Sequence, residues 1–384
     1  MVNKLSYVLI TPYTVAKNRT GGVIARLLSQ TDLELAGAQI IAPDRQFTAD
    51  YAQSLRMQAK GEPCFLADYV EQNFIPDDGG TRRALFLLFR GAEPCRKLAA
   101  ICGHLRPDSK SHLDEIQGQS IRDTYADLII DPQAPEKYAY FEPGVITPRE
   151  QAAADSDLRL FLPLLQKSGN IINLQYPAGM SVQRTLVIIK PDNWAYSSSR
   201  PGSIIDMFSR TGLRIIGIKV HRFTLEQALD FYGPVKDALK SKLAPVFGKK
   251  AKALLEQEFG IGLSDAVEKA LSDSFGVEYA LDQFEQIVEF MSGYRPGKPE
   301  GREVKCMIVI YEGTDAISKI RDVLGPTDPL KAPGGTIRRE FGSNVMVNTA
   351  HASDAPESFD REKQIVKINE NESAGIIADY LRDT

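Results

Sequence analysis

The chain alternates short apolar runs with amphipathic stretches, and it does so twice. Leu5–Tyr13 (LSYVLITPY) and Arg184–Asp192 (RTLVIIKPD) are β-rich apolar runs that close at a proline, so each reads as a strand entering a loop. GGVIARLL (Gly21–Leu28) and PGSIIDMF (Pro201–Phe208) follow, with apolar residues three and four apart as at a helix start. LELAGAQII (Leu33–Ile41) and LRIIGIKV (Leu213–Val220) supply a second strand to each copy. After a gap, ALFLLFRG (Ala84–Gly91) matches MIVIYEG (Met307–Gly313), each a strand followed by a helix that ends near Gly103 or Gly325. QSIRDTYAD (Gln119–Asp127) then matches GTIRREFGS (Gly335–Ser343).

The order strand, helix, strand, helical region, strand, helix, loop, strand predicts an α+β chain. It would hold two ferredoxin-like (βαββαβ) sandwich domains with antiparallel sheets, helices on one face of each. The domains are expected at 1–170 and 180–384, joined near Gly169–Gly179 after a helix over Asp157–Gln166. The spacing between matching motifs widens along the chain, so the second copy carries extra residues, placed between Tyr232 and Phe284. There the segment Lys236–Leu281 is rich in Ala, Leu, Glu and Lys, with Pro245 its one proline. Apolar positions at Ala253, Leu254 and Leu255, then at Ala266, Val267, Ala270 and Leu271, predict two amphipathic helices in an insertion at about 236–281. Such an insertion decorates its own domain, or serves as a lid or a contact between chains.

Composition narrows the function. With 384 residues, 43% hydrophobic and 25% charged, the chain can bury sizeable cores without metals or disulfides. A net charge of −4, with no basic cluster beyond pairs such as Lys249-Lys250 and Arg338-Arg339, argues against a nucleic-acid partner. Cys64, Cys95, Cys102 and Cys306 lack the paired spacing of a zinc site and read as thiols in a reducing compartment. Leu85–Phe89 and Met307–Tyr311, the longest apolar stretches, fall far short of the ~18 residues a spanning helix needs. Met1–Ile10 reads as the run-up to a strand rather than a targeting segment. A soluble, cytoplasmic protein with no membrane partner is expected.

Of the four histidines, His104 and His112 flank a solvated stretch and His221 follows a strand, so these three read as structural or exposed. His351 differs, standing in NTAHASD on a loop that leads to a C-terminal helix. Four motifs then occur in order: IKPD (Ile189–Asp192), GPTDP (Gly325–Pro329), PGGTIRREFG (Pro333–Gly342) and NTAHASDAPES (Asn348–Ser358). Together they resemble the nucleoside diphosphate kinase family, whose hallmark is a histidine in an N-x-x-H-G-S-D context after a G-T-I-R segment. The resemblance covers the second half apart from the insertion; the first half shares the pattern only.

The resemblance implies transfer of a γ-phosphoryl group between nucleoside di- and triphosphates through a phosphohistidine on His351. An imidazole suits this step, being a good neutral nucleophile near pH 7 with an ordinary pKa of ~6.5. It makes Glu362 the carboxylate that holds the ring, although on its own Glu362 also reads as an exposed helix residue. Lys190, Arg321, Thr327 and Arg338 would bind phosphates, Lys190 and Asn348 the sugar hydroxyls. Tyr232 would help position the histidine and Ser353 would lie beside it. Val345 matches one side of the base-stacking pair, and Phe284 is the candidate for the other or else a core residue. Mg2+ would come with the nucleotide, held mostly by phosphates and water. The family assembles as dimers and larger oligomers. The two halves are therefore expected to pair within one polypeptide, with further self-association left open.

Some positions depart from the family pattern. Thr349, Ala350 and Ala352 stand where two apolar residues and a glycine are usual, and Met346-Val347 replaces Gly-Arg. Losing the glycine matters only if position 352 needs a positive φ. In the first copy Thr11 replaces the lysine and Tyr13 the aspartate. Arg122 survives there, and Phe141 or Glu142 falls near the histidine's place. The first copy is expected to be a degenerate partner, and the alternative for the whole chain is a non-catalytic nucleotide-binding regulator or scaffold.

Overall fold

The computed structural model describes residues 3–59, 64–75, 80–105, 119–131 and 134–383; His112 lies outside the described residues. The first repeat runs β1 (Lys4–Ile10), α1 (Pro12–Ala16), α2 (Thr20–Gln30), β2 (Glu34–Ile41), α3 (Arg45–Gln58), α4 (Phe65–Asn73), β3 (Ala84–Gly91) and α5 (Pro94–Cys102). It closes with α6 (Ile121–Tyr125), the hairpin β4 (Asp127–Asp131) and β5 (Ala134–Glu142), β6 (Val145–Ile146) and α7 (Gln151–Lys167). The second begins with β7 (Gln183–Ile189), α8 (Arg200–Ser209) and β8 (Arg214–His221). Three helices follow: α9 (Leu225–Phe259), α10 (Asp265–Leu271) and α11 (Val277–Ser292). Then come β9 (Cys306–Gly313), α12 (Ala316–Leu324), α13 (Ile337–Phe341), β10 (Ala350–Ala352), α14 (Pro356–Ile365) and α15 (Glu372–Arg382).

Two four-stranded sheets result, ordered β6-β1-β3-β2 and β10-β7-β9-β8. In each, the last strand lies beside the first and the second holds the far edge, which is the ferredoxin-like order. The registers agree as well. Ile10 stands opposite Leu85 and Ile189 opposite Met307, with seven antiparallel pairs in each ladder. Glu93 and Asp315, at the starts of the corresponding helices α5 and α12, both take left-handed backbone, with φ of 50° and 54°.

The first sheet is covered on both faces, not one. Val8 and Ile10 join a core that runs through α2 and α8 into the second sheet, while Leu5, Tyr7 and Leu9 face a second core. That second core is built by α3, α4, α7 and residues of α15. A strand whose side chains are apolar on both pleat faces requires cover on both.

The helices α2 and α8 pack with reciprocal contacts. A side chain at Gly21 would strike the Asp206 backbone and the Gly202 carbonyl, and one at Gly202 would strike the Ala25 backbone and the Gly21 carbonyl. The same patch is used on both sides, as in a two-fold dimer interface. Glycine is required because only its bare backbone allows this approach.

His221–Lys305 form a separate helical unit. The expected helices at Ala253–Leu255 and Ala266–Leu271 fall on α9 and α10, but α9 starts well before the insertion and α11 follows. A single helix, α9, runs from a capping box at Thr224 and Gln227 through Pro234 and Pro245 to a left-handed stop at Gly260. After α10, a π-helical turn at Ser272–Gly276 leads into α11. Gly276 lies close enough to the Ala244 backbone, and Gly248 to the Glu268 carbonyl, that neither has room for a side chain.

Candidate active site

The site is built where the central strand β7 ends. Its partner β10 is only three residues long and places His351 opposite Ile188, so the histidine stands on a strand rather than on the expected loop. The Ser353 N–H donates to the Leu186 carbonyl (3.0 Å), carrying the pairing one residue further. Pro356 then starts α14, whose second turn returns Glu362 to the histidine.

Glu362 is 3% exposed and holds two partners. Its Oε1 lies 2.9 Å from His351 Nε2, and its Oε2 accepts from the Ser353 hydroxyl at 2.7 Å. The Leu186 N–H donates to the same hydroxyl at 3.3 Å, so the carboxylate is tied to the sheet. The His351 side chain is 25% exposed, enough to meet a ligand.

Lys190 leaves the end of β7 buried, its ammonium donating to Asn348 Oδ1 at 2.7 Å. Burial pulls its pKa down to about 8, with Arg338 adding to the effect and Asp192 opposing it. Asn348 is a hub: its Nδ2 donates to the carbonyls of Thr327 (3.1 Å) and Val345 (2.8 Å). Arg338 donates to the carbonyls of Gly325 (2.9 Å) and Ala350 (3.0 Å), bracing the loop after α12 against β10. Arg321 is exposed on the last turn of α12. Asp354 is held below the usual carboxylate range mainly by the Ser358 hydroxyl, with Arg321 and His351 contributing. Thr327 is exposed, and Val345 offers an apolar side chain that is 57% exposed. Tyr232 and Phe284 belong to the helical unit, where both are buried and the Lys236 ammonium lies 5.7 Å from the Phe284 ring centre.

Sequence reasoning gave no site role to four further residues: Asn193 and Arg200, Asp192 of the IKPD motif, and Thr349, named there as a departure. Ala352 does not have a positive φ; Thr349 does, at 75°. For a β-branched residue this is a true outlier, costing on the order of 1–3 kcal/mol. Its carbonyl accepts from Lys190 N–H (2.9 Å) and Asn193 Nδ2 (2.8 Å), and its hydroxyl from Arg200 (3.1 Å). Arg200 also holds Asp192 Oδ2 at 3.2 Å and the Phe341 carbonyl.

The first repeat shows the same frame with different chemistry. Thr11 N–H donates to Gly144 O at 3.1 Å as Lys190 N–H does to Thr349 O, and Gly144 has a φ of 70°. Arg122 repeats the brace of Arg338, donating to the Gly103 and Val145 carbonyls. The residue at the histidine's place is then Ile146, opposite Leu9 and 1% exposed, not Phe141 or Glu142. Counting along the sequence misjudged this because the β4–β5 hairpin precedes Gly144. Glu142 lies instead beside Thr11. Its Oε1 accepts from the Thr11 hydroxyl (2.7 Å) and Gly144 N–H (2.9 Å), and its Oε2 from Tyr69 Oη (2.5 Å). Burial raises its pKa against the lowering by those donors.

The chain is similar to proteins of one kind. The nucleoside diphosphate kinase family model matches residues 183–246 and 265–371. Among curated relatives, a nucleoside diphosphate kinase of Halorhodospira halophila is 30% identical over 183 residues, 48% of this chain and 91% of the relative. One from Cereibacter sphaeroides is 32% identical over the same shares. Two solved structures, nucleoside diphosphate kinase of Aquifex aeolicus and an NDP kinase of Pyrobaculum aerophilum, are each 28% identical, covering 48% of this chain and 95% of theirs. Their TM-scores are 0.30 and 0.35, so the fold assignment stands on the strand order. The chain belongs to the nucleoside diphosphate kinase family through its second half.

Proposed function

We propose that the second domain is an active nucleoside diphosphate kinase that relays the γ-phosphoryl group through His351. The observation that carries this is the His351–Glu362–Ser353 chain beside the buried cation of Lys190. An imidazole that donates from Nε2 to Glu362 carries its lone pair on Nδ1. That lone pair attacks the γ-phosphorus, the bond to the β-bridging oxygen breaks, and the nucleoside diphosphate leaves with the electron pair. A second diphosphate attacks the phosphohistidine and takes the group, which restores the ring. Glu362 stabilises the positive charge that develops on the imidazole in both steps.

Lys190, Arg338 and Arg321 supply positive charge to the phosphates. Thr327 adds a hydroxyl at the phosphate end, and Asn348 with Lys190 meets the sugar hydroxyls. Val345 presents an apolar face to the base. Magnesium arrives as part of the nucleotide substrate. Phosphate oxygens and water suit this small, hard ion as ligands.

The first domain is a degenerate copy that pairs with the catalytic one through α2 and α8. All four cysteines are free, which fits a reducing cytoplasm. The test is steady-state exchange from GTP to ADP. Parallel double-reciprocal lines, lost in His351→Ala, support the relay; exchange that survives His351→Ala contradicts it.

A further inference from the structure

The strained residue two positions before His351 is buried and held from three sides. Thr349 has no exposed surface. Its carbonyl takes hydrogen bonds from the Lys190 N–H and the Asn193 side-chain amide, and its hydroxyl takes one from Arg200. Asn193, itself 2% exposed, uses the same Nδ2 to hold the Lys190 carbonyl at 3.0 Å. One amide group thus ties the turn that bears Lys190 to the segment that bears the histidine.

The chain contains its own control. In the first repeat Gly144 adopts nearly the same φ, 70°, and among the described residues the hydrogen bonds to its carbonyl come from Thr11, through its N–H and hydroxyl. Glycine takes this conformation without a steric penalty. Threonine does not, and it stays there only while its surroundings over-determine it. The reciprocal glycine contacts pair Arg19 with Arg200, but Arg19 lies over the Tyr13 ring, whereas Arg200 and Asn193 hold Thr349 in the repeat that has the histidine.

The consequence for the site is geometric. Asn348 immediately precedes Thr349 and turns its side chain to Lys190, whereas His351 follows and is fixed in the ladder opposite Ile188. The left-handed residue between them sets the direction of one relative to the other. We propose that Asn193 and Arg200 are positioning residues that hold Thr349 left-handed and so aim the His351 imidazole at the phosphate bound beside Lys190 and Asn348. This rests on the kinase reading above.

The test measures single-turnover phosphorylation of His351 by Mg·ATP, with ATP affinity by calorimetry, in wild type, Asn193→Ala and Asn193→Ala/Thr349→Gly. Asn193→Ala is expected to slow phosphorylation by about tenfold or more while ATP affinity changes by less than about threefold, since misaiming costs rate rather than binding. Adding Thr349→Gly should recover most of the rate, because glycine needs no clamp. Wild-type phosphorylation in Asn193→Ala, or a double variant as slow as the single, overturns the proposal. Should Asn193→Ala melt below assay temperature, Arg200→Lys, with and without Thr349→Gly, carries the same comparison. If wild type takes no phosphate, the kinase reading fails, and the clamp is judged by the His351 imidazole NMR resonances. These must move in the single variant and return in the double; resonances that do not move overturn it.

Discussion

Lys190 is a site residue whose charge depends on its surroundings. Burial holds its pKa near 8, so the ammonium is charged below that pH and neutral above it. A phosphate needs the charged form. Nucleotide affinity should therefore be flat below about pH 8 and weaken above it, by up to about tenfold per pH unit, and titration calorimetry between pH 6.5 and 9.5 checks this. Lys190→Arg, always charged, should bind with little pH dependence over that range. Glu362 gives a second prediction at this scale. Glu362→Gln keeps the shape but not the charge that balances the imidazolium, so phosphoryl transfer should fall about 100-fold with KM little changed, read from steady-state kinetics. His351, Lys190 and Asn348 were legible in the sequence because each lies in a short motif, and Glu362 because it follows the histidine at the distance the family resemblance implies. Asn193, Arg200 and Thr349 were not, since their contacts join distant segments and a β-branched residue carries no sign that its φ will be positive.

Among the elements, the strands and the paired helices α2 and α8 follow directly from apolar spacing. Val23, Ile24, Leu27 and Leu28, and likewise Ile204, Ile205, Met207 and Phe208, form the buried stripes. The glycine contact between the helices was invisible, because close approach is a property of two helices together. Gly202→Val should force them apart and cost about 2 kcal/mol or more of stability, measured by chemical denaturation. The insertion was read in part: helices lie where its apolar positions put them, but the length of α9 was not foreseen. Prolines usually end helices, yet α9 continues through two of them, and its packing against the π-turn and α11 outweighs the local cost. A final strand was expected but its place at β10 was not, because three residues carry too short a pattern and it is the pairing with β7 that defines it.

At the scale of the whole molecule, one frame appears twice with opposite contents. Where the second repeat joins Lys190 to Asn348, the first joins Thr11 to the buried Glu142 carboxylate and puts Ile146 in the histidine's place. A buried carboxylate repels phosphate, so calorimetry should find one nucleotide per chain; two equal sites would contradict this. The modest net charge of −4 gave no hint of either local arrangement, whereas the repeated motifs pointed to both domains.

The most direct measurement is phosphoenzyme formation on the intact chain. After incubation with γ-labelled Mg·ATP and quenching, the label should be acid-labile and base-stable, map to the peptide holding His351, and move to GDP when GDP is added. His351→Ala should remain unlabelled. A wild-type chain that binds ATP but takes no label, or a His351→Ala chain that takes it equally, would contradict the account.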